Sequence, residues 1–395
     1  MAAERTSAGS FRSSQGAAEA VPATGRLPAV RPRIDGLTSL RFFAAFHVIL
    51  FHLKVEGILT GGPWWYQNFA SIGYVGVNFF FVLSGFILVY TYSATDLDPR
   101  RFWQARFARV YPAYLLSLAI TAPFFFITAR SLNLPFFTWS EQHLALSSIL
   151  TLTLLQSWFP QGALAWNPVC WSLSDEGFFY SVFPFLLKRR RSLSRALPVC
   201  IVAVWSISLA ISLGYVWIHP DGATNINSAT VTLLWKNVLS FNPLVRLPEF
   251  VVGMLTCMLF LKMRGSTRIG SVCFLGGVAG IALVTVFADR IPNPVISTGL
   301  LSPAFAAIIY GAALRPRWAQ LLAFRPLVLL GEASYSLYLL HSWVMSNVFN
   351  ATPHLPSALR APLCVGAAIL ASLLSLKFVE EPARRLLRPR VARTS

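Results

Sequence analysis

Three ionisable side chains, one arginine and two histidines, stand in one apolar stretch, RFFAAFHVILFH, which covers residues 41–52. Arg41 and His52 are eleven residues apart, so on an α-helix they differ by about 20° in direction and lie about 16 Å apart along the axis. An imidazole can take a proton from a hydroxyl near neutral pH, and a fixed cation can bind an anion. The spacing is consistent with one helix face that does both. Interhelical hydrogen bonding stays an open alternative for His52 and is the favoured explanation for His47, which points elsewhere.

A second group of basic residues occurs in DPRRFWQARFARVYP, residues 98–112. Arg106 and Arg109 are i, i+3 neighbours on one face of a predicted helix. Two guanidinium groups at this spacing could hold phosphates by paired, charge-assisted hydrogen bonds. The alternative is that they only anchor the helix on the cytoplasmic side of a membrane.

Two adjacent carboxylates stand in WSLSDEGFFYSVFP, residues 171–184. Ser174 is a candidate N-cap of an apolar helix, and Asp175 would then lie in the first turn, where the helix dipole favours acidic residues. A cap does not require both Asp175 and Glu176. One of them could instead orient and stabilise an imidazolium, as the acid of a hydrolytic triad does.

Other polar residues interrupt apolar runs further along the chain. Ser84 lacks the surroundings of a nucleophilic serine and is expected at most to donate a hydrogen bond. Arg246 and Glu249 are i, i+3 neighbours and are expected to pair with each other. His341 is another imidazole in an apolar run. No pair of residues has the HxxxH or HExxH spacing of metal ligands, so we expect no metal site.

The composition predicts the kind of protein that positions these side chains. Of the 395 residues, 55% are hydrophobic and only 12% are charged, and the mean hydropathy is +0.59, whereas soluble domains carry about 25% charged residues. This indicates an all-α, multi-pass protein of the inner (plasma) membrane, in contact with its lipid bilayer. The net charge of +18 arises from basic clusters between apolar runs, as in cytoplasmic loops, so we expect no nucleic-acid partner.

The apolar runs predict ten membrane spans, since a hydrocarbon core requires about 20 residues per helix. A shorter run at 144–158 is predicted to be re-entrant or interfacial, because all the basic clusters then fall on one side. Both termini are predicted to be cytoplasmic, with a disordered tail at 1–33, a transmembrane domain at 34–382 and a basic tail at 383–395. The outer loop 129–170 is the predicted lid of an outward-facing site. The predicted spans are 37–55, 72–92, 106–128, 171–187, 197–217, 244–262, 270–288, 295–313, 327–348 and 361–379.

Taken in order, several motifs resemble the acyltransferase 3 family of integral membrane O-acyltransferases, from about residue 34 to 385. Each motif is weak by itself, but their order makes the match specific. The motifs are RIDGLTSLRFFAAFHVILFH, GYVGVNFFFVLSGF, RFARVYPAY, WSLSDEGFFYSVFP, RLPEFVVGM, SYSLYLLH and FVEEPARR.

The resemblance implies a ten-helix domain that transfers an acyl group, commonly acetyl, from cytoplasmic acyl-CoA to a hydroxyl of a carbohydrate acceptor. That acceptor would be a surface polysaccharide, a lipid-linked glycan or a glycosylated metabolite. Acyl-CoA would be the donor substrate, with no permanently bound cofactor. His52 would be the catalytic base, with Glu176 or Asp175 as its acidic partner. The residues expected to bind substrate or acyl-CoA are Arg41, Arg106, Arg109, Ser84, Arg246, Glu249 and His341.

The chain departs from the family pattern around the two carboxylates. Asp175 stands where an apolar residue is usual, Gly177 where a second glutamate is frequent, and Phe178 where glutamine is common. Which carboxylate is functional therefore stays open, and the acceptor pocket is expected to differ. A transporter or flippase of a glycan or small anion is the alternative function, although we find no internal repeat that supports it. The sequence predicts no oligomeric state.

Overall fold

A computed structural model describes residues 31–94, 97–128, 138–189, 196–222, 233–263 and 265–387. Within these ranges the chain is helical, with no β-strand. Ten long helices follow one another, and we label them in chain order: α1 Asp35–Val55, α2 Gly76–Tyr92, α3 Pro99–Pro123, α4 Trp171–Lys188, α5 Leu197–Ile218, α6 Pro243–Lys262, α7 Thr267–Val286, α8 Ser302–Ala313, α9 Arg325–Ala351 and α10 Ser357–Ser375.

Shorter helical segments connect or extend these ten. A 3-10 turn at Gly73–Val75 precedes α2, and a π-helical turn at Ile296–Leu300 precedes α8. A second π-helical turn, Leu376–Glu380, joins α10 to a last short helix. The other short helices lie at Trp64–Ser71, Thr138–Gln142, Leu144–Leu152, Leu234–Phe241, Ala319–Leu322 and Glu381–Leu387.

Every predicted span corresponds to a long helix, which confirms the all-α membrane architecture. Eight helical segments of the described chain are long and apolar enough to cross a membrane. The two long helices outside that set are α4 and α9, which carry Asp175, Glu176 and His341. Their polar residues lower the hydropathy, so the helices that are poorest as membrane segments are those that carry candidate site residues.

Parts of the predicted organisation are not tested by the fold. Residues 1–30 and 388–395, which make up most of the predicted tails, lie outside the described residues, as do 129–137 of the predicted lid. The side of the membrane on which each terminus lies stays a prediction. The run at 144–158 forms a nine-residue helix, Leu144–Leu152, which is about 14 Å long and therefore too short to cross about 30 Å of hydrocarbon.

Helix α1, which carries Arg41 and His52, is packed closely against α2 and α9. A Cβ on Gly76 of α2 would lie 2.4 Å from the carbonyl oxygen of Ala44, and a Cβ on Gly331 of α9 would lie 2.0 Å from that of Thr38. Only glycine permits such close backbone contact. These two contacts fix α1 between its neighbours and therefore fix the directions of its polar side chains.

Candidate active site

Two cavities lie within the helix bundle, and the residues proposed from the sequence divide between them. The first, of about 120 Å³, is lined by three arginines, Arg41, Arg106 and Arg109, and by one carboxylate, Glu176. Arg41 comes from the second turn of α1, and the other two come from the first half of α3. Three guanidinium groups against one carboxylate give this cavity an excess of positive charge, which suits an anion.

Aromatic rings hold Arg106 in the first cavity. Its guanidinium lies 5.8 Å from the ring centres of Tyr92 and Phe102 and 5.9 Å from that of Tyr180. Its Nη2 donates to the Tyr92 hydroxyl over 3.3 Å. Cation–π contacts orient the planar group and leave its remaining N–H donors for a ligand.

Glu176 belongs to this first cavity, which separates it from His52. Its Oε1 accepts a hydrogen bond from the hydroxyl of Tyr180, one turn later on α4, and a long one, 3.5 Å, from Ser84 of α2. Ser84 is thus a hydrogen-bond donor. The sequence grouped Glu176 with His52 as its acidic partner, whereas the structure groups it with the arginines.

The second cavity is larger, about 280 Å³, and contains His52. Val77 of α2 and Tyr338 of α9 line both cavities, so the two meet at these side chains. Aromatic rings, amides and two cations form the rest of the wall. They include Tyr74, Asn78, Trp171, Lys236, Asn237, Phe241, Arg246, Asn293 and Ser297.

The predicted lid segment contributes to the wall of this second cavity. Leu164, Pro168 and Val169, from the loop before α4, line it together with the helix Leu234–Phe241. The last residues of the predicted lid therefore line the same cavity as His52.

A carboxylate that the sequence reasoning missed contacts His52. Glu56 follows the last residue of α1, and its Oε1 lies 3.2 Å from Nδ1 of His52. The hydroxyls of Ser342 and Ser346, on α9, donate to the two Glu56 oxygens over 2.6 and 2.7 Å. Burial raises the pKa of Glu56, but these hydrogen bonds and the nearby His52 outweigh it, so the pKa lies below its ordinary value. Glu56 is therefore ionised at neutral pH.

Asp175 is neither a helix cap nor a partner of His52, and the N-cap interpretation of Ser174 was wrong. Helix α4 begins at Trp171, directly after a 3-10 turn. Ser174 therefore lies inside the helix, where its hydroxyl donates to the Leu154 carbonyl over 2.7 Å. Asp175 is fully buried, and neither carboxylate oxygen has a hydrogen-bond partner among the described residues. Arg246 and Glu249 lie near it.

Arg246 and Glu249 pair with each other, as their spacing predicts. Nη2 of Arg246 lies 3.2 Å from Oε2 of Glu249, and both side chains are almost completely buried. Asn78 of α2 bridges them, since its Oδ1 accepts from Arg246 over 2.8 Å and its Nδ2 donates to Glu249 over 3.1 Å. This network connects α2 to α6 and forms part of the second cavity's wall.

The two other histidines named from the sequence have different surroundings. Nδ1 of His341 lies 2.7 Å from the carbonyl of Tyr338, and its ring lies 4.8 Å from that of His52 in an edge-on contact. Nε2 of His47 lies 2.8 Å from the carbonyl of Phe69, and the two rings stack at 4.0 Å. His341 is therefore a neighbour of the His52 imidazole, whereas His47 contacts a different helix.

Comparison with known proteins identifies the family to which these features belong. Residues 34–377 match the family described as "Acyltransferase domain". The chain is 28% identical to acyltransferase MdmB of Streptomyces mycarofaciens, over 79% of each chain. It is 26% identical to O-acetyltransferase OatA of Staphylococcus aureus, over 89% of this chain and 57% of OatA. It is 28% identical to the exopolysaccharide production protein ExoZ of Rhizobium meliloti, over 77% of this chain and 86% of ExoZ. No solved structure matches the chain.

Proposed function

This chain belongs to the acyltransferase domain family of multi-pass membrane proteins, and from that premise we propose which reaction its two cavities perform. The proposed reaction transfers an acyl group, expected to be acetyl, from a cytoplasmic acyl-CoA to a hydroxyl of a carbohydrate acceptor. The protein would act in the plasma membrane. The observation that carries the proposal is the meeting of an arginine-rich cavity with a histidine-containing cavity at Val77 and Tyr338.

The first cavity supplies the donor site. The phosphates of CoA would bind Arg41, Arg106 and Arg109, whose charges Glu176 only partly balances. The pantetheine arm would then extend toward Val77 and Tyr338. Apolar residues also line this cavity, including Phe80, Phe81, Leu83, Ile87 and Leu88, which suits an uncharged arm that ends in a thioester.

The second cavity supplies the acceptor site. Aromatic rings such as Trp171 and Phe241 offer flat apolar faces, while the amides of Asn237 and Asn293 can hydrogen-bond hydroxyl groups. This combination suits a carbohydrate, which has apolar ring faces and polar edges. OatA is named as an O-acetyltransferase and ExoZ as an exopolysaccharide production protein, which supports the same class of acceptor.

The proposed chemistry balances without an additional reactant. His52 takes the proton of the acceptor hydroxyl, whose oxygen attacks the thioester carbonyl. A carbon–oxygen bond forms and the carbon–sulfur bond breaks, and the proton passes from His52 to the leaving thiolate, so that the products are the ester and free CoA thiol. Holding both substrates in adjoining cavities removes most of the entropic cost of their encounter.

Thiol release by the purified protein tests this function. We expect free CoA from acetyl-CoA only when a glycan acceptor is present, and no release by His52→Ala. His47→Ala is the matched control, since it removes an imidazole from the same helix. A wild-type protein that binds acetyl-CoA but releases no thiol with any acceptor would contradict the proposal.

A further inference from the structure

The carboxylate beside His52 is held in place from two directions. The backbone N–H of Glu56 donates to the carbonyl of His52 over 2.8 Å, so Glu56 continues the last turn of α1. On the other side, Ser342 and Ser346 lie one turn apart on α9 and each donates to a different Glu56 oxygen. Because α1 and α9 both hold the Glu56 carboxylate, the fold itself sets its contact with the His52 imidazole.

The contact also specifies which nitrogen of His52 carries a proton. An ionised carboxylate only accepts hydrogen bonds, so Nδ1 of His52, 3.2 Å away, must be the N–H donor. Nε2 then carries the lone pair, and His52 lines the second cavity. This tautomer is the one that a base needs if its reacting nitrogen is to meet a hydroxyl there.

We propose that Glu56 is the positioning residue of His52: its carboxylate, held by Ser342 and Ser346, fixes the Nδ1–H tautomer and stabilises the imidazolium that forms when Nε2 takes the proton of the acceptor hydroxyl. The inference rests on the proposed function, and it assigns the supporting acid to Glu56 in place of Glu176 and Asp175. The proton bound at Nε2 leaves with the CoA thiol.

The alternative is that Glu56 only ties α1 to α9 through the two serines. Glu56→Gln separates the two roles, because glutamine keeps the size of the side chain and can still hydrogen-bond both serine hydroxyls, one as donor and one as acceptor, but loses its charge. We expect kcat to fall about 100-fold, within the range that a general base and its partner contribute, with the donor KM unchanged. Glu381→Gln, which changes an exposed glutamate that pairs with Arg385, should leave both constants unchanged.

The pH profile distinguishes a positioning role of Glu56 from a role that only joins α1 to α9. A nearby negative charge stabilises an imidazolium, so kcat of Glu56→Gln should depend on pH differently from kcat of the wild type. Glu56→Asp, which keeps the charge, should retain the wild-type profile. The other titratable or charged groups near His52 and Glu56 are unaltered in all variants: Tyr74, Lys236, Arg246, His341 and Cys364.

The double variant Ser342→Ala with Ser346→Ala provides the complementary comparison. It removes the tie to α9 but keeps the carboxylate, so kcat should fall less than in Glu56→Gln. If the serine double variant loses as much activity as Glu56→Gln and the pH profile is unchanged in both, the positioning role is refuted.

A measurement that needs no turnover tests the contact itself. Nitrogen-15 spectra of histidine-labelled protein in detergent should show His52 as the Nδ1–H tautomer, with its signals assigned by their loss in His52→Gln. Glu56→Gln should mix the tautomers. Identical signals in wild type and Glu56→Gln would overturn the inference. If the wild type transfers no acyl group to any acceptor, the proposed function fails, and these spectra still decide the role of Glu56.

Discussion

Arg109 offers the sharpest test of how the donor is held. It lines the first cavity, and its neighbour Arg106 is a less informative target, since that guanidinium also packs against three aromatic rings. Arg109→Gln removes the charge and keeps a polar side chain of moderate length. If Arg109 binds a phosphate of CoA, this change should weaken the affinity for the donor.

The expected magnitude follows from the worth of one charged hydrogen bond. Hydrogen bonds to charged groups contribute about 1.5–3 kcal/mol, and each 1.4 kcal/mol changes a dissociation constant tenfold. The Kd for acetyl-CoA should therefore rise about 10-fold to 150-fold. Two arginines and Glu176 remain in the cavity, so binding should be weakened and not abolished, and it should stay sensitive to salt.

Two donors and one control variant make the assay specific. The Kd of acetyl-CoA is measured by calorimetry, and transfer rates are compared for acetyl-CoA and for S-acetylpantetheine, which has no phosphates. Arg109→Gln should impair the first donor and spare the second, and kcat at saturating acetyl-CoA should change little. Arg101→Gln is the matched control, because Arg101 is on the same helix but largely exposed and paired with Asp98; its effect should be under about twofold.

Two results would refute this reasoning. An unchanged Kd in Arg109→Gln would mean that the arginine serves only to orient α3 in the membrane. An equal loss with both donors would mean that the substitution alters the shape of the cavity and that no phosphate is bound there.

Three further predictions concern the base, the bundle and the passage between the cavities. His52→Ala should lower kcat by at least about 100-fold in a protein that still folds, whereas His47→Ala should retain substantial activity; the reverse result in the same thiol-release assay would move the base to His47. Gly85→Ala should lower the thermal midpoint in detergent strongly, because its Cβ would lie 2.0 Å from the carbonyl oxygen of Phe250; an unchanged midpoint would show that α2 and α6 can separate there at little cost. Val77→Trp should block the junction of the cavities, so that acyl transfer is lost while the Kd of acetyl-CoA is kept. Transfer at the wild-type rate would mean that the acyl group does not pass Val77.

The helices could be predicted from the sequence because the signals that define them are local. Each long apolar run meets the length that a bilayer requires, and the basic clusters sufficed to predict 144–158 as too short to span. Even α4 and α9, with their polar residues, were found from the apolar residues around them. The turns that begin helices were less predictable. The predicted span 171–187 begins where α4 does, but Ser174 was interpreted as its N-cap and the burial of Asp175 was missed.

Part of the site follows from helix geometry and part does not. The spacing of Arg41 and His52 was sufficient to put both on one face, and both line cavities that share Val77 and Tyr338. Glu56 also had a local signal, since it is four residues after His52 and therefore one turn further on the same side. From the sequence, the acidic partner of His52 was instead assigned to the adjacent carboxylates in WSLSDEG.

The contacts that fix Glu56 had no signal in a single sequence. Ser342 and Ser346 are 286 and 290 residues away from it along the chain, and serines in an apolar helix usually satisfy their hydroxyls on the preceding turn. Only the packing of α1 against α9 reveals that these two donate across the interface. The two serine hydroxyls hold the Glu56 carboxylate in one orientation. An isolated i, i+4 pair at a helix end lacks such donors, so its carboxylate is free to change orientation.

The charges along α1 match the species expected at each end of the proposed reaction. Near its beginning, Arg41 joins two other arginines that can bind an anionic donor, and near its end a carboxylate faces the imidazole that must become a cation. The reverse arrangement would oppose both steps. A carboxylate in place of Arg41 would leave two arginines against two carboxylates in the first cavity, and an arginine beside His52 would disfavour the imidazolium. The separation of about 16 Å between Arg41 and His52 is long enough to keep Glu56 from weakening the donor site. An extended pantetheine arm is what would connect the two ends, and this is why the junction at Val77 and Tyr338 matters as much as the charged groups.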